Sequence, residues 1–385
     1  MELFSTWGNQ MDLNTLDTPS LIIDEKKMMR NIERMANKAK TLGITLRPHL
    51  KTSKCWEVAK RQLWTPEGPA TVSTLKEAEE FARHGVTDMI YAVGIAPHKL
   101  PRVQALLDAG VDLKIILDNV TSAKIVSDYC RQNKTTMKVL IEIDCDGHRS
   151  GLQPHDKKIV EVAQALTDGA KLVGVLTHAG GSYDVNTPEA LLERSRGERD
   201  GILKAAQLLR EAGFELEIVS VGSTPTALSA DDFSGITEMR AGVYVFFDLF
   251  QAGVGVCSVD DIAVSLLVTV IGHQEEKGWV ITDGGWMALS RDRGTANQTT
   301  DQGYGLVCDI NGHPMDDLWV AGANQEHGII ARRNGEKLKS TDFPIGMRLR
   351  ILPNHACPIG AQHPHYFVVD DGIEVKAKWN RFYGW

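Results

Sequence analysis

From Leu21 to Gly242 the chain alternates short β-branched runs with longer stretches of helical periodicity, and few folds accept that rhythm. Candidate strands are Leu21–Asp24, Ile44–Arg47, Ala70–Ser73, Asp88–Val93, Leu113–Leu117, Val139–Asp144, Leu172–Thr177, Ile218–Val221 and Thr237–Arg240. Between them, Lys26–Leu42, Leu75–His84, Leu100–Ala109 and Pro188–Ala212 carry apolar residues at helical spacing, with Lys, Arg and Glu on the opposite face. Regular strand–helix alternation implies a parallel sheet with its helices packed outside. Units of this number and length predict a closed (β/α)8 TIM-like barrel, with a doubly wound sheet as the alternative.

The texture changes after about Gly255. The runs Ala263–Ile271, Gly278–Thr282, Leu318–Ala321, Arg348–Leu352 and Tyr366–Val369 are strand-like and separated by Gly, Asp, Pro and Asn turns. They predict a second, all-β domain. A chain of 385 residues exceeds what one core ordinarily serves. The expected division is therefore a barrel over 18–255 and a β domain over 256–385, with residues 1–17 packing on the latter. A net charge of -8 argues against nucleic acid and against an anionic membrane surface as partners. No apolar run is long enough to span a bilayer. Met1–Asp12 has no secretory pattern, and the six cysteines show no paired spacing, so a cytoplasmic protein with reduced thiols is expected.

In barrels the C-terminal ends of the strands build the site. Here they end in polar or glycine-rich turns. Lys51 follows the strand ending at Arg47; taken alone it reads as a solvated loop residue, but a lysine so placed can also form an imine with an aldehyde. Arg149 lies in the Asp144–Gly151 turn, and His178 and Tyr183 follow the next strand. Val221-Gly222-Ser223-Thr224-Pro225-Thr226 joins a glycine to hydroxyl residues, which suits a phosphate held by backbone N–H and hydroxyl groups. In the β domain, His355 and Cys357 stand two apart, and in extended chain both side chains fall on one side. Imidazole plus thiolate suits zinc and similar borderline metals, and two protein donors leave coordination positions open.

The segment Arg47-Pro48-His49-Leu50-Lys51-Thr52 resembles the pyridoxal-phosphate lysine segment of the D-serine dehydratase / D-threonine aldolase family, whose fold is of the alanine-racemase type. Val72–Glu79, Thr177–Gly180, Val221–Thr226 and Leu352–Cys357 resemble it too. The resemblance implies that Lys51 anchors pyridoxal 5'-phosphate and acts as base, and that Arg149 lies near the cofactor ring, flanked by His178 and Tyr183. It puts the phosphate on Gly222, Ser223, Thr224, Gly242 and Tyr244, and a divalent metal (zinc, or manganese, cobalt or nickel) on His355 and Cys357. The family's dehydratases resemble His-x-Cys, while its aldolases more often show His-x-Asp. Cys357 therefore implies a dehydratase of D-3-hydroxy amino acids such as 3-hydroxyaspartate or D-serine, acting as a homodimer. The alternatives are an aldolase using the same site and a non-catalytic pyridoxal-phosphate-binding protein. Asp283 and His327 are expected to wall the substrate, and His363 and His365 to be solvated.

Overall fold

The structure, a computed structural model, describes residues 11–385. Two compact units emerge: Ile32–Tyr244 with Phe382–Trp385, and the residues up to Asn31 with Val245–Arg381. β1 (Ser20–Asp24) leads into α1 (Glu25–Leu42), along which the assignment passes from one unit to the other. The first unit then runs β2 (Thr45–Leu46), α2 (Trp56–Gln62), β3 (Ala70–Val72), α3 (Leu75–Arg83), β4 (Asp88–Gly94), α4 (Leu100–Asp108) and β5 (Asp112–Leu117). It continues with α5 (Val120–Asn133), β6 (Met137–Ile143), α6 (Lys158–Gln164), β7 (Ala170–Thr177), α7 (Pro188–Glu211), β8 (Ile218–Val221), α8 (Thr224–Ser229) and β9 (Glu238–Met239).

The eight parallel strands follow the order β2-β9-β8-β7-β6-β5-β4-β3. The ring closes where His49 bridges Thr71: Leu50 N–H donates to Thr71 O at 2.9 Å, and Thr71 N–H to Pro48 O at 2.9 Å. α7 shows how sequence sets the outer layer. Thr187 caps it by accepting from Ala190 N–H, and Pro188 opens its first turn. Its buried residues include Leu191, Ser195, Glu198, Ile202, Ala205 and Leu209, a stripe at alternating four- and three-residue spacing.

The barrel interior is layered. Arg47 Nε donates to Glu238 at 2.8 Å, and its guanidinium reaches Asp88 on β4 at 2.8 Å, a span that only an inward side chain covers. Lys114 continues the layer to Asp88 at 2.6 Å and Asp112 at 2.9 Å. These charges alternate in sign and pair, as burial demands. Above them in register lie Ile90, Ile116, Leu140, Leu176 and Ile218, one apolar cluster. At the C-terminal ends come the polar Glu142 and Ser220, level with Leu176 in register, and Arg240.

The second unit corrects the sequence reading. Leu21–Asp24, expected as the first barrel strand, is not in the barrel: β1 pairs antiparallel with β10 (Val264–Gln274) and parallel with β16 (His365–Val369). All five residues of β1 are buried, so its apolar run reads alike in either sheet. Lys51 therefore follows the first barrel strand, and the units part at Asn31/Ile32 and Tyr244/Val245 rather than at 17/18 and 255/256. Along the chain this unit holds α9 (Leu249–Val254), β10, β11 (Trp279–Thr282), α10 (Trp286–Leu289), β12 (Leu306–Cys308), β13 (Pro314–Ala323), β14 (Gly328–Arg332), β15 (Arg348–Leu352), α11 (Ala356–Gln362), β16 and β17 (Ala377–Asn380). β10, β11, β14, β13, β12 and β15 close into an antiparallel ring, because the long β10 pairs with both β11 and β15. Leu13 and Leu16 join Ile22, Leu267, Phe367 and Val369 in its core; residues 1–10 of the expected 1–17 segment lie outside the described residues.

Candidate functional site

At the barrel mouth, Lys51, Arg149, His178, Tyr183, Gly222, Ser223, Thr224, Gly242 and Tyr244 all follow C-terminal strand ends. Lys51 and Arg149 are exposed, while Arg240 is buried below, its guanidinium bonded to Ser220 Oγ and Thr177 O. Burial and then the fields of Arg149, Lys51 and Arg240 hold His178 well below the usual imidazole range; burial, Lys51 and Arg240 do the same to His49. Both imidazoles are therefore neutral at pH 7, in a mouth ringed by cations. The Nδ1 of His178 contacts Gly222 O, a carbonyl that only accepts, so Nδ1 carries the proton and Nε2 keeps its lone pair. The rings of His178 and Tyr183 are 6.0 Å apart.

The phosphate segment differs in detail from expectation. Gly222 N–H donates to the buried Glu198 at 3.0 Å and so is already used. A Cβ on Gly222 would meet Arg240 O at 2.5 Å, and one on Gly242 would meet His49 O at 2.8 Å. These glycines are needed first because backbones approach closely there, so a valine at 222 would disturb the strand packing itself. Ser223 caps α8, accepting from Thr226 N–H at 3.0 Å and sharing a hydrogen bond with Ser182 at 3.0 Å. Tyr244 is fully buried, and its hydroxyl accepts from Gln62 Nε2 at 3.1 Å, which leaves its own O–H to donate. Thr224 Oγ1 remains: it is buried and has no hydrogen-bond partner among the described residues, and the same is true of His49 Nδ1. Buried polar atoms without partners are costly unless something else satisfies them. Together with the surrounding cations they fit a phosphate-bearing anion.

In the second unit β15 ends at Leu352 and α11 begins at Ala356, so the metal-candidate pair is not in extended chain as expected. His355 is the extended residue that precedes α11, and Cys357 lies in the first turn. His355 Nδ1 bonds Asp292 Oδ2 at 2.9 Å. Burial opposes charge on His355, but Asp292 and then Cys357 outweigh it and push the imidazole up to about 11. A divalent ion taking the imidazole and the thiolate must displace that proton. A carboxylate behind a ligating histidine fixes its tautomer and orientation, so the donor set fits a zinc-like metal. Asn354 holds the loop that carries Asp292, donating to Asp292 O at 3.1 Å and Gly303 O at 2.7 Å. Asp248, fully buried, accepts from Ala356 N–H at 2.9 Å and secures the start of α11. No group of three or more His, Cys, Asp and Glu suited to a metal occurs among the described residues, which leaves His355 and Cys357 as a two-donor pair.

Asp283 accepts from Thr18 at 2.5 Å and from Thr269 N–H at 2.7 Å, which ties it to the β unit. His327 is exposed in the turn between β13 and β14. His363 is buried, not solvated, and its Nε2 lies 2.9 Å from Ala288 O. Sequence reasoning left Asp292, His49, Arg240 and Glu198 without roles. His49 stood inside the lysine motif and Glu198 on an apolar stripe, both legible signals; Asp292 had none.

The chain is similar to known proteins along nearly its whole length. The family "Alanine racemase, N-terminal domain" matches residues 23–249, and "Putative serine dehydratase domain" matches residues 263–369. The chain is 52% identical to the D-threo-3-hydroxyaspartate dehydratase of Delftia sp. (strain HT23), across 98% of this chain and 100% of that one. It is 28% identical to the D-serine dehydratase of Dictyostelium discoideum, across 95% and 97%. A solved structure of D-threo-3-hydroxyaspartate dehydratase, a cysteine-to-alanine mutant in the metal-free form, superposes with a TM-score of 0.95 at 51% identity, covering 98% of this chain and 100% of that one. The chain belongs to the D-serine dehydratase-like family of alanine-racemase-type proteins.

Proposed function

We propose that this protein is a pyridoxal-phosphate- and divalent-metal-dependent dehydratase of D-3-hydroxy amino acids, with D-threo-3-hydroxyaspartate as its preferred substrate and a 2-oxo acid and ammonia as products. The observation that carries the reading is the His355–Cys357 pair with Asp292 behind it, in a chain whose barrel mouth fits an anionic cofactor. When bound, the cofactor supplies an electron sink for charge at Cα, and the metal a Lewis acid for the departing β-oxygen.

The chain's own groups do the rest. Lys51 would hold the cofactor through its aldehyde group and, once free, would take the α-proton as general base. His178, neutral and with its Nε2 lone pair facing away from the Gly222 contact, adds no competing positive charge beside the ring. Arg149 would lie near the cofactor ring, where its charge would disfavour protonation of the ring nitrogen. Thr224 donates its hydroxyl to the phosphate. His355 and Cys357 hold the metal, and Asp292 holds His355. The metal is zinc-like by its donors, the assembly a homodimer as in the resembled family, and the compartment cytoplasmic.

Thr224→Val keeps the shape and removes the hydroxyl. A hydrogen bond to a charged group contributes about 1.5–3 kcal/mol, so cofactor affinity should fall by at least about tenfold. Visible titration of the cofactor-free protein measures it, and an unchanged affinity would remove Thr224 from the cup. Asp292→Ala should weaken metal binding by about 10–100-fold, the usual effect of losing a partner behind a ligand. Competition against a fluorescent zinc chelator would show it. The reading as a whole is tested by ammonia release from D-threo-3-hydroxyaspartate, D-erythro-3-hydroxyaspartate, D-serine and D-threonine. The threo dicarboxylate should give the highest kcat/KM, and no release from any of the four would end the proposal.

A further inference from the structure

Glu198 is 1% exposed on the core stripe of α7, where an apolar residue would be the ordinary choice. Its Oε1 accepts two backbone N–H groups, from Ala179 at 3.2 Å and from Gly222 at 3.0 Å. Ala179 follows His178 at the end of β7, and Gly222 precedes Ser223 and Thr224 at the end of β8. The circuit closes on the other side, where the His178 ring bonds Gly222 O. One carboxylate oxygen therefore ties the loop carrying His178 and Tyr183 to the loop carrying Thr224. The hydrogen bond between Ser182 and Ser223, at 3.0 Å, is a second, weaker tie between the same loops. The same carboxylate also bonds the side chain of Thr226 and stands in the field of the buried Arg240 guanidinium.

We propose that Glu198 is a positioning residue of the cofactor site: its Oε1 sets the spacing between the ring-flanking His178 loop and the phosphate-binding Thr224 loop, so that both engage one cofactor at once. The inference rests on the proposed reading of the barrel mouth. The working part is the reach of the acceptor, not its charge. Two strand ends that each drift by a fraction of an ångström would still form a barrel, but their groups would no longer meet a rigid ligand together. Glu198 also lines a cavity of about 340 Å³ with Cys145, Asp146, Glu193 and Arg194, so a shorter side chain at 198 opens into existing space rather than collapsing the core.

Two substitutions separate reach from charge. Glu198→Gln keeps the length and an acceptor oxygen while losing the charge. Glu198→Asp keeps the charge and draws the acceptor back by one methylene. Each variant, and the unaltered protein, is titrated with pyridoxal 5'-phosphate after removal of bound cofactor, with visible absorbance and visible circular dichroism as readouts. Melting temperature is followed in parallel. Glu198→Gln should bind within about threefold of the unaltered protein and give the same visible dichroism. Glu198→Asp should bind at least tenfold more weakly with an altered dichroic band, although it remains folded. Glu198→Asp binding like the unaltered protein, or Glu198→Gln binding no better than Glu198→Asp, would overturn the inference. If either variant does not fold, Glu198→Met, which keeps the volume and lacks the acceptor, takes its place and should bind at least tenfold more weakly. Failure of the unaltered protein to bind the cofactor is a different result, and it would count against the proposed function itself.

Discussion

Replacing Lys51 by alanine is expected to abolish turnover and the visible absorbance of the bound cofactor while leaving the barrel folded. The side chain is exposed beyond the end of β2, so its removal leaves no cavity. Two roles disappear together: the covalent anchor and the base. Loss of a positioned base alone costs about 10²–10⁴ in rate, and loss of the anchor adds to that. Borohydride should fix the cofactor onto Lys51 in the unaltered protein and onto nothing in the variant. Lys54 is the natural control, three residues on. Its ammonium lies 3.4 Å from the buried Glu77 and 5.7 Å from the Trp385 ring centroid, and its carbonyl accepts from Phe382 N–H at 3.0 Å. It is a structural residue, and a reduced, labelled peptide carrying the cofactor on Lys54 would refute the assignment.

Metal removal should have an effect of similar size on the reaction and little on the chromophore. Stripping with a chelator, or His355→Ala, should lower ammonia release by more than about 100-fold, because changes behind a ligand already cost about 10–100-fold. The cofactor should still bind, since Lys51 and Thr224 belong to the barrel mouth. Readdition of zinc or manganese should restore the stripped protein but not His355→Ala. Because the imidazole stands near pKa 11, metal binding should release a proton, and the apparent affinity should rise with pH across the neutral range. Cys357→Asp replaces a soft donor with a hard one and should move the preference toward manganese or magnesium. Undiminished ammonia release from thoroughly stripped protein would return His355 and Cys357 to a purely structural role.

The sequence made the barrel legible because its signal is periodic: strand and helix patterns repeat, and Lys51, His178 and Thr224 fall after C-terminal strand ends, while their roles come from the family resemblance. It failed where one residue pattern serves two structures. β1 is buried on both faces, and an apolar run of that length has no mark that says which sheet it joins. The start of α11 reads as extended because Pro353 lies just before a short helix and Pro358 stands in its first turn, leaving little periodicity. The sequence reading offers the Gly222 N–H to a phosphate, whereas in the fold it donates to Glu198, and Arg240 O is what a side chain there would strike. Asp292 was beyond reach, since 63 residues separate it from His355 and only the folded chain joins them. Glu198 was within reach, as a carboxylate on a helix face otherwise built of small and apolar residues.

This site is expected to break the Cβ–O bond of a D-3-hydroxy amino acid and not its Cα–Cβ bond. Carbon-13-labelled D-threo-3-hydroxyaspartate, incubated with the protein, pyridoxal 5'-phosphate and zinc and followed by nuclear magnetic resonance, decides it directly. The expected products are labelled oxaloacetate and its decarboxylation product pyruvate, with one ammonia per substrate consumed and no glycine. Labelled glycine with glyoxylate would show an aldolase and contradict this expectation.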